Sequence, residues 1–105
     1  MIQQIPVEEL KRRLDAKQPT LIVDVRQPWE HELAAIPGSV LLPLNELQSR
    51  LGEVAPPPGA LVVVYCHHGM RSLSGAALLA RHDAVSLAGG IEAWSLQVDS
   101  KVPRY

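Results

Sequence analysis

The chain alternates short runs of apolar, mostly β-branched residues with stretches in which apolar residues recur at helical spacing. Each run is bounded by proline, glycine or polar residues, which predicts a strand. The run at 60–65 shows no alternation of apolar and polar positions, and this is typical of a strand covered on both faces of a parallel sheet. The predicted strands are 3–5, 21–25, 39–42, 60–65 and 84–87.

Helical spacing predicts four helices between and after these strands. The first carries Glu8 and Glu9 in its first turn and basic residues later, which suits the helix dipole. The helices are marked by Val7, Leu10 and Leu14, by Leu44, Leu47 and Leu51, by the segment 72–82, and by the segment 91–98. Strands that alternate with helices predict a single α/β domain over residues 1–105, with an open parallel sheet covered on both faces. Ligands bind at the carboxyl ends of the strands in such sheets.

Composition narrows the function classes. Ten Lys and Arg against eleven Asp and Glu give a net charge of −1, and there are only four aromatic residues among Phe, Trp and Tyr. A basic excess and stacking aromatics are absent, so nucleic acid is not an expected partner. No apolar run approaches the roughly 20 residues that span a bilayer, so no membrane is expected either. One cysteine and no signal-peptide pattern predict a cytoplasmic protein.

The segment that follows the strongest predicted strand carries the candidate chemistry. It begins with Cys66, the candidate nucleophile, and continues through His67, His68, Gly69, Met70, Arg71 and Ser72. A strand–loop–helix turn gathers backbone N–H groups and the positive end of a helix, so a thiolate there is stabilised. Cys66 as an inert buried thiol remains an alternative, because free cysteine often packs as a small apolar side chain.

The neighbours of Cys66 suggest no metal and no cofactor. His67 and His68 are adjacent, and side chains of adjacent residues in an extended loop are expected to diverge, so they would not converge on one ion with Cys66. Histidine titrates near neutral pH, and the pair is therefore expected to modulate the charge of the loop rather than to transfer a proton.

Four further residues and the tail complete the candidate set. Asp24 and Arg26 end a predicted strand, and Asp24 is expected to brace the Cys66 loop. Arg26 is either a cation near the substrate or a solvated surface residue. Trp29 and Trp94 are expected to pack near helix starts. The polar tail 98–105 is expected to lie on the surface.

Three segments together resemble rhodanese-family sulfurtransferases. The loop Cys66–Arg71 resembles the family's active-site loop, with two residues, a glycine and one residue after the cysteine. The segments 24–30 with 36–39, and 87–94, resemble the N-terminal and C-terminal signatures, although Ala35 stands where the family often has histidine. The resemblance implies a three-layer α/β sandwich with a central parallel sheet.

The resemblance also implies a mechanism. Cys66 would take a sulfane sulfur from thiosulfate, hold it as a persulfide stabilised by the N–H groups of residues 67–72, and pass it to cyanide, a small thiol or a protein thiol. Arg71 would help hold the anionic donor. Four residues separate Cys66 from Arg71, against five in the related phosphatases and arsenate reductases, and the shorter loop favours sulfur. A non-catalytic or sulfur-carrier docking module is the alternative.

Overall fold

A computed structural model, which describes residues 2–105, contains one five-stranded sheet in which all strands are parallel. Along the sheet the strands follow the order β1-β5-β4-β2-β3. Every predicted strand is present, with ends displaced by one residue or less. The strands are β1 Gln4–Ile5, β2 Thr20–Asp24, β3 Val40–Leu41, β4 Leu61–Tyr65 and β5 Val85–Leu87.

The helices are α1 Val7–Asp15, α2 Pro28–Leu33, α3 Leu44–Leu47, α4 Arg71–Leu78 and α5 Gly90–Gln97. Helix α3 continues into a 3₁₀ segment, Gln48–Glu53. The segment predicted as one helix at 72–82 instead breaks after Leu78 and ends in a 3₁₀ turn, Ala80–His82. No helix within residues 2–105 has the length and apolar character needed to cross a membrane.

Helix α2 was not predicted, because Pro28 suggested only the end of a strand. In the fold Pro28 occupies the first helical turn, where its missing N–H costs nothing. Gln27 and Glu30 form a reciprocal capping box at the same end, and the Gln27 N–H donates to Glu30 Oε1 at 3.0 Å. A proline followed two residues later by an acidic residue was the available signal.

Helices cover both faces of the sheet and form two apolar clusters. Residues of α1 and α5 pack on one face, and residues of α3 and α4 pack on the other. Along β4, Val63 and Tyr65 belong to the first cluster, whereas Val62 and Val64 belong to the second. Both faces of β4 are therefore buried, which explains its uniform apolar sequence and confirms the predicted three-layer sandwich.

The chain reverses its direction across the sheet between β2 and β4. From β2 it moves outward to β3, and then it crosses β2 to form β4 on the other side. Asp24 at the end of β2 pairs with Tyr65 at the end of β4, and the Val25 N–H donates to the Tyr65 carbonyl at 3.1 Å. Segments 24–30 and 66–72 thus leave the sheet side by side at this switch point, where ligands bind in open α/β sheets.

Candidate active site

The sulfur of Cys66 is buried and accepts hydrogen bonds from two backbone N–H groups. Cys66 follows β4 directly and is 1% exposed. The N–H groups of Gly69 and Ser72 donate to its Sγ at 3.1 and 3.3 Å, and Ser72 Oγ lies 3.5 Å from the same atom. Ser72 is in the first turn of α4, so its N–H is one of those left free by the helix. This arrangement stabilises negative charge on the sulfur.

Other N–H groups of the loop have no acceptor within the protein. Among residues 2–105, nothing accepts a hydrogen bond from the backbone N–H of His67, His68, Met70 or Arg71. These four N–H groups are therefore free to bond to solvent or to a ligand. Consecutive free N–H groups of this kind form anion sites in other proteins.

The carbonyl groups at the start of the loop are held by α5. The N–H of Ile91 donates to the Cys66 carbonyl at 2.9 Å, and the N–H of Glu92 donates to the His67 carbonyl at 3.1 Å. Gly90 has φ +61°, and a Cβ placed on it would lie 2.5 Å from the Cys66 carbonyl oxygen. Glycine is required here by close approach as well as by conformation. The Gly89-Gly90 turn therefore fixes the path of the Cys66 loop.

Asp24 and Arg26 form an ion pair that is fully buried. Arg26 Nε and Nη2 donate to Asp24 Oδ1 and Oδ2 at 2.8 and 2.7 Å, and both side chains are 0% exposed. Arg26 also donates to the Ala34 carbonyl and to the Tyr105 hydroxyl. Burial alone would lower the pKa of Arg26, but its hydrogen bonds to Asp24 and Tyr105 outweigh that effect and raise the pKa. The interpretation of Arg26 as a solvated residue is therefore wrong, and its role as a cation near the substrate stays a prediction.

The prediction for Asp24 needs a related correction. Besides Arg26, its carboxylate accepts from the Tyr65 hydroxyl at 3.1 Å and lies 2.8 Å from His31 Nδ1. None of these partners belongs to the loop 66–72. Asp24 therefore reaches the loop indirectly, through Tyr65, the residue before Cys66, and through Arg26, whose partner Tyr105 stacks on His67. Burial, followed by the charge of Asp24, raises the pKa of Tyr65 to about 12.

Arg71 lies beside the loop in a bidentate ion pair with Glu30. Its Nη1 and Nη2 donate to Glu30 Oε1 and Oε2 at 2.7 and 2.9 Å, with Arg71 38% exposed and Glu30 4% exposed. The Tyr105 hydroxyl donates to Glu30 Oε2 at 2.7 Å. Arg71 was predicted as a site residue from the sequence, but Glu30 was not, although Glu30 lies within the N-terminal motif, residues 24–30. The positive charge of Arg71 is therefore paired with the negative charge of the Glu30 carboxylate.

Removing the Glu30 charge should reduce stability and its dependence on pH. The hydrogen bond from Arg71 lowers the pKa of Glu30 to about 2 from its ordinary 4.5. The folded state therefore binds this proton more weakly than the unfolded state, and the contribution of Glu30 is lost as pH falls from about 5 towards 2. Glu30→Gln should lower the free energy of unfolding at pH 7 by about 2 kcal/mol, allowing for the exposed Arg71.

The measurement is urea unfolding of the wild type and Glu30→Gln at pH 7 and at pH 3. The difference between the two proteins should shrink at the lower pH. Glu8→Gln, on the exposed side of α1, is the matched control and should be near the wild type at pH 7. A difference that stays constant between the two pH values would contradict the assignment of this ion pair.

An aromatic stack covers one side of the loop. The rings of His67 and His68 are stacked with centroids 3.9 Å apart, and His67 also stacks on Tyr105 at 3.9 Å. The prediction that the two histidines diverge is therefore wrong. Burial, followed by the charge of His68, lowers the pKa of His67, which favours a neutral ring. No group of three or more His, Cys, Asp or Glu side chains in residues 2–105 is placed to hold a metal ion.

The tail and the two tryptophans complete this surface. Val102 is buried and Tyr105 bonds to Arg26 and Glu30, so the prediction of a surface tail is wrong for these two residues. Trp94 is buried, as predicted.

Trp29 was expected to be a packing residue, but its side chain is 60% exposed. Its ring meets that of Tyr105 edge-on, with the ring centroids 6.0 Å apart. Met70, within the loop itself, is 75% exposed.

The chain is similar in sequence and in fold to known proteins. A family model described as the rhodanese-like domain matches residues 6–97. A protein of Allochromatium vinosum named "Sulfurtransferase" is 35% identical over 98 residues, and the match covers 90% of each chain. The tail that carries Tyr105 lies beyond the region of the family match.

Two longer proteins contain a similar domain. The chain is 34% identical over 104 residues to a probable adenylyltransferase/sulfurtransferase MoeZ of Mycobacterium tuberculosis, which matches 96% of this chain but 26% of that protein. The chain thus spans about a quarter of the length of this relative. A thiosulfate sulfurtransferase structure from Pseudomonas aeruginosa superposes with a TM-score of 0.77 at 31% identity, over 90% of this chain and 19% of that one. The chain belongs to the rhodanese-like domain family.

Proposed function

We propose that the chain is a sulfurtransferase that carries a sulfane sulfur as a persulfide on Cys66. The observation that supports this most directly is the pair of backbone N–H donors, from Gly69 and Ser72, on the Cys66 sulfur. They stabilise a thiolate before transfer and bind the same inner sulfur atom afterwards. Donors that are in place before charge develops cost no reorganisation during the reaction.

In the first step the Cys66 thiolate attacks the outer sulfur of thiosulfate. A sulfur–sulfur bond forms at Cys66, the bond between the two donor sulfurs breaks, and sulfite leaves with the electron pair. The product is an anionic persulfide. The four loop N–H groups without an internal acceptor, from His67 to Arg71, would bind the sulfonate of the donor and then the terminal sulfur.

In the second step a thiophilic acceptor attacks the terminal sulfur of the persulfide. Cyanide would leave as thiocyanate, and a thiol would leave as a persulfide, with Cys66 returned as the thiolate. The sequence contains no second cysteine that could form an internal disulfide, so the sulfur must pass to a partner. Small thiols and protein thiols are both suitable acceptors.

Arg71 has a narrower part in this proposal than its position in the motif implies. Glu30 occupies two of its guanidinium N–H groups and balances its charge. The side chain is nevertheless 38% exposed, and a guanidinium has five N–H donors in all. We therefore assign Arg71 to the rim, where its remaining donors face an approaching anion while Glu30 keeps it in place.

A sulfur-carrier module that docks on a protein partner is the second candidate. Met70 favours it, because an apolar side chain 75% exposed within the loop suits contact with a protein surface. The similar domain within the longer MoeZ relative is consistent with such use. In this case the persulfide on Cys66 is the same, but the donor is another protein.

Sulfite release separates the two candidates. Wild-type protein mixed with thiosulfate and no acceptor should release one sulfite per chain, and cyanide should then restart release at a steady rate. A burst of this size is the signature of a covalent two-step mechanism. A folded protein with a reduced Cys66 that releases no sulfite would overturn the thiosulfate reaction and leave the carrier function.

Gly90→Ala should reduce transfer from thiosulfate to cyanide by about a hundredfold, because the new Cβ would displace the Cys66 carbonyl and with it the loop. Gly52→Ala is the matched control, since a Cβ there meets nothing within 4 Å and its φ is not positive. The assay is the steady-state rate of thiocyanate formation for both variants. Wild-type turnover by Gly90→Ala would contradict the role given to the turn.

A further inference from the structure

Two serine hydroxyls lie behind the Cys66 sulfur in a buried row. Ser72 Oγ, 3.5 Å from Cys66 Sγ, is also 2.7 Å from Ser86 Oγ. Both serines are fully buried. Ser86 belongs to β5, and it is paired in the sheet with Val64 of β4, two residues before Cys66. Ser86 lies outside the loop and has no role in the mechanism described so far.

The burial of Ser86 determines the direction of the hydrogen bonds. Within residues 2–105, Ser72 Oγ is the only hydrogen-bond partner of Ser86 Oγ. If Ser72 donated to Ser86, the Ser86 hydrogen would be buried without an acceptor, which is costly. If Ser86 donates to Ser72 instead, the Ser72 hydroxyl hydrogen must point to Cys66 Sγ. Only then do both serine hydroxyl hydrogens have an acceptor. A thiolate, which can only accept, fits this direction.

We propose that Ser86 is a positioning residue for Cys66, which acts by orienting the Ser72 hydroxyl as a third donor to the sulfur. The inference rests on the proposed function, in which Cys66 reacts as a thiolate. Ser86 does not touch the substrate. Its effect is to make the Ser72 hydroxyl a fixed donor rather than a group that can turn between two acceptors, and the same donor would serve the inner sulfur of the persulfide.

The thiolate of Cys66 can be followed by its ultraviolet absorbance during a pH titration. The signal belongs to one residue, because Cys66 is the only cysteine. Burial raises the pKa of both Tyr65 and Tyr105 to about 12, so tyrosinate absorbance appears only at higher pH. The charged and titratable side chains of the loop are Arg71, paired with Glu30, and the stacked His67 and His68, and all the variants below retain them.

The experiment compares Ser86→Ala, Ser72→Ala and the double variant in this titration. Ser72→Ala should move the midpoint of thiolate formation upward by about one pH unit, and Ser86→Ala should move it by about half a unit. In the Ser72→Ala background, Ser86→Ala should have no further effect, because the group through which it acts is gone. Ser95→Ala is the control, since that buried hydroxyl has no partner among residues 2–105.

Two results would overturn the inference. One is an unchanged midpoint in Ser86→Ala, and the other is an equal shift caused by Ser86→Ala with and without Ser72. The titration does not depend on transfer. If the midpoint shifts as expected but thiosulfate yields no sulfite, the proposed thiosulfate reaction fails and the role of Ser86 stands. If sulfite is released but the midpoint is unchanged, the role of Ser86 fails alone.

Discussion

Cys66→Ser should abolish sulfur transfer while the protein remains folded. A serine hydroxyl is a far weaker nucleophile towards sulfur, and no other cysteine can replace it. The fold should tolerate the change, because the new oxygen still accepts from the N–H groups of Gly69 and Ser72 at nearly the same position. We expect a change of about 1 kcal/mol in the free energy of unfolding. The measurements are thiocyanate formation and urea unfolding.

Cys66→Ala provides the second arm of this test. It removes the acceptor as well as the nucleophile and leaves the Gly69 and Ser72 N–H groups unpaired, so it should be less stable than Cys66→Ser. Both variants should be inactive in transfer. Wild-type turnover by folded Cys66→Ser would remove Cys66 from the mechanism.

Arg26→Met should produce the largest loss of stability, about 3–5 kcal/mol. The variant leaves the Asp24 carboxylate fully buried with only His31 and Tyr65 as side-chain partners. A buried charge without its counterion is far more costly than the loss of an exposed ion pair. The total stability of a domain is about 5–15 kcal/mol, so the variant should be close to unfolding.

The control is Arg12→Met, which removes an exposed ion pair with Glu9 and should change stability by less than about 1 kcal/mol. The double variant Asp24→Leu with Arg26→Met should recover part of the loss, since it removes the buried charge as well. Urea unfolding of the four proteins measures both effects. Equal stabilities for Arg26→Met and Arg12→Met would show that the buried ion pair contributes no more to the free energy of unfolding than an exposed one.

The sequence predicted the parts of the fold that depend on local pattern. The uniform apolar run of β4 predicted a strand buried on both faces, and Val63 and Val64 do enter opposite clusters. The missed helix α2 has six residues, less than two turns, and is too short for apolar periodicity to reveal. Its capping residues, Gln27 and Glu30, are present in the sequence, but a proline at this position is also typical of the end of a strand.

The candidate site likewise has a part that the sequence predicts and a part that it does not. The Cys66 loop could be identified because its residues are consecutive, and chain order alone places them around one sulfur. The partners that hold the loop are distant in sequence: Glu30 is 41 residues from Arg71, and Tyr105 is 79 residues from Arg26. Those contacts arise only when the carboxyl ends of β2 and β4 meet and the tail folds over them. Ser86 was hidden for the same reason, as one polar residue within an apolar strand.

Under the proposed function, Cys66 carries the transferred sulfur. The most direct test of this role is the intact mass of the reduced protein after incubation with thiosulfate, and again after cyanide is added, with Cys66→Ser as the matched control. We expect a gain of one sulfur atom that maps to Cys66, is lost with cyanide and never forms on the serine variant. A sulfur adduct that also forms on Cys66→Ser, or a reduced and folded wild type that gains none from any sulfane donor, would contradict it.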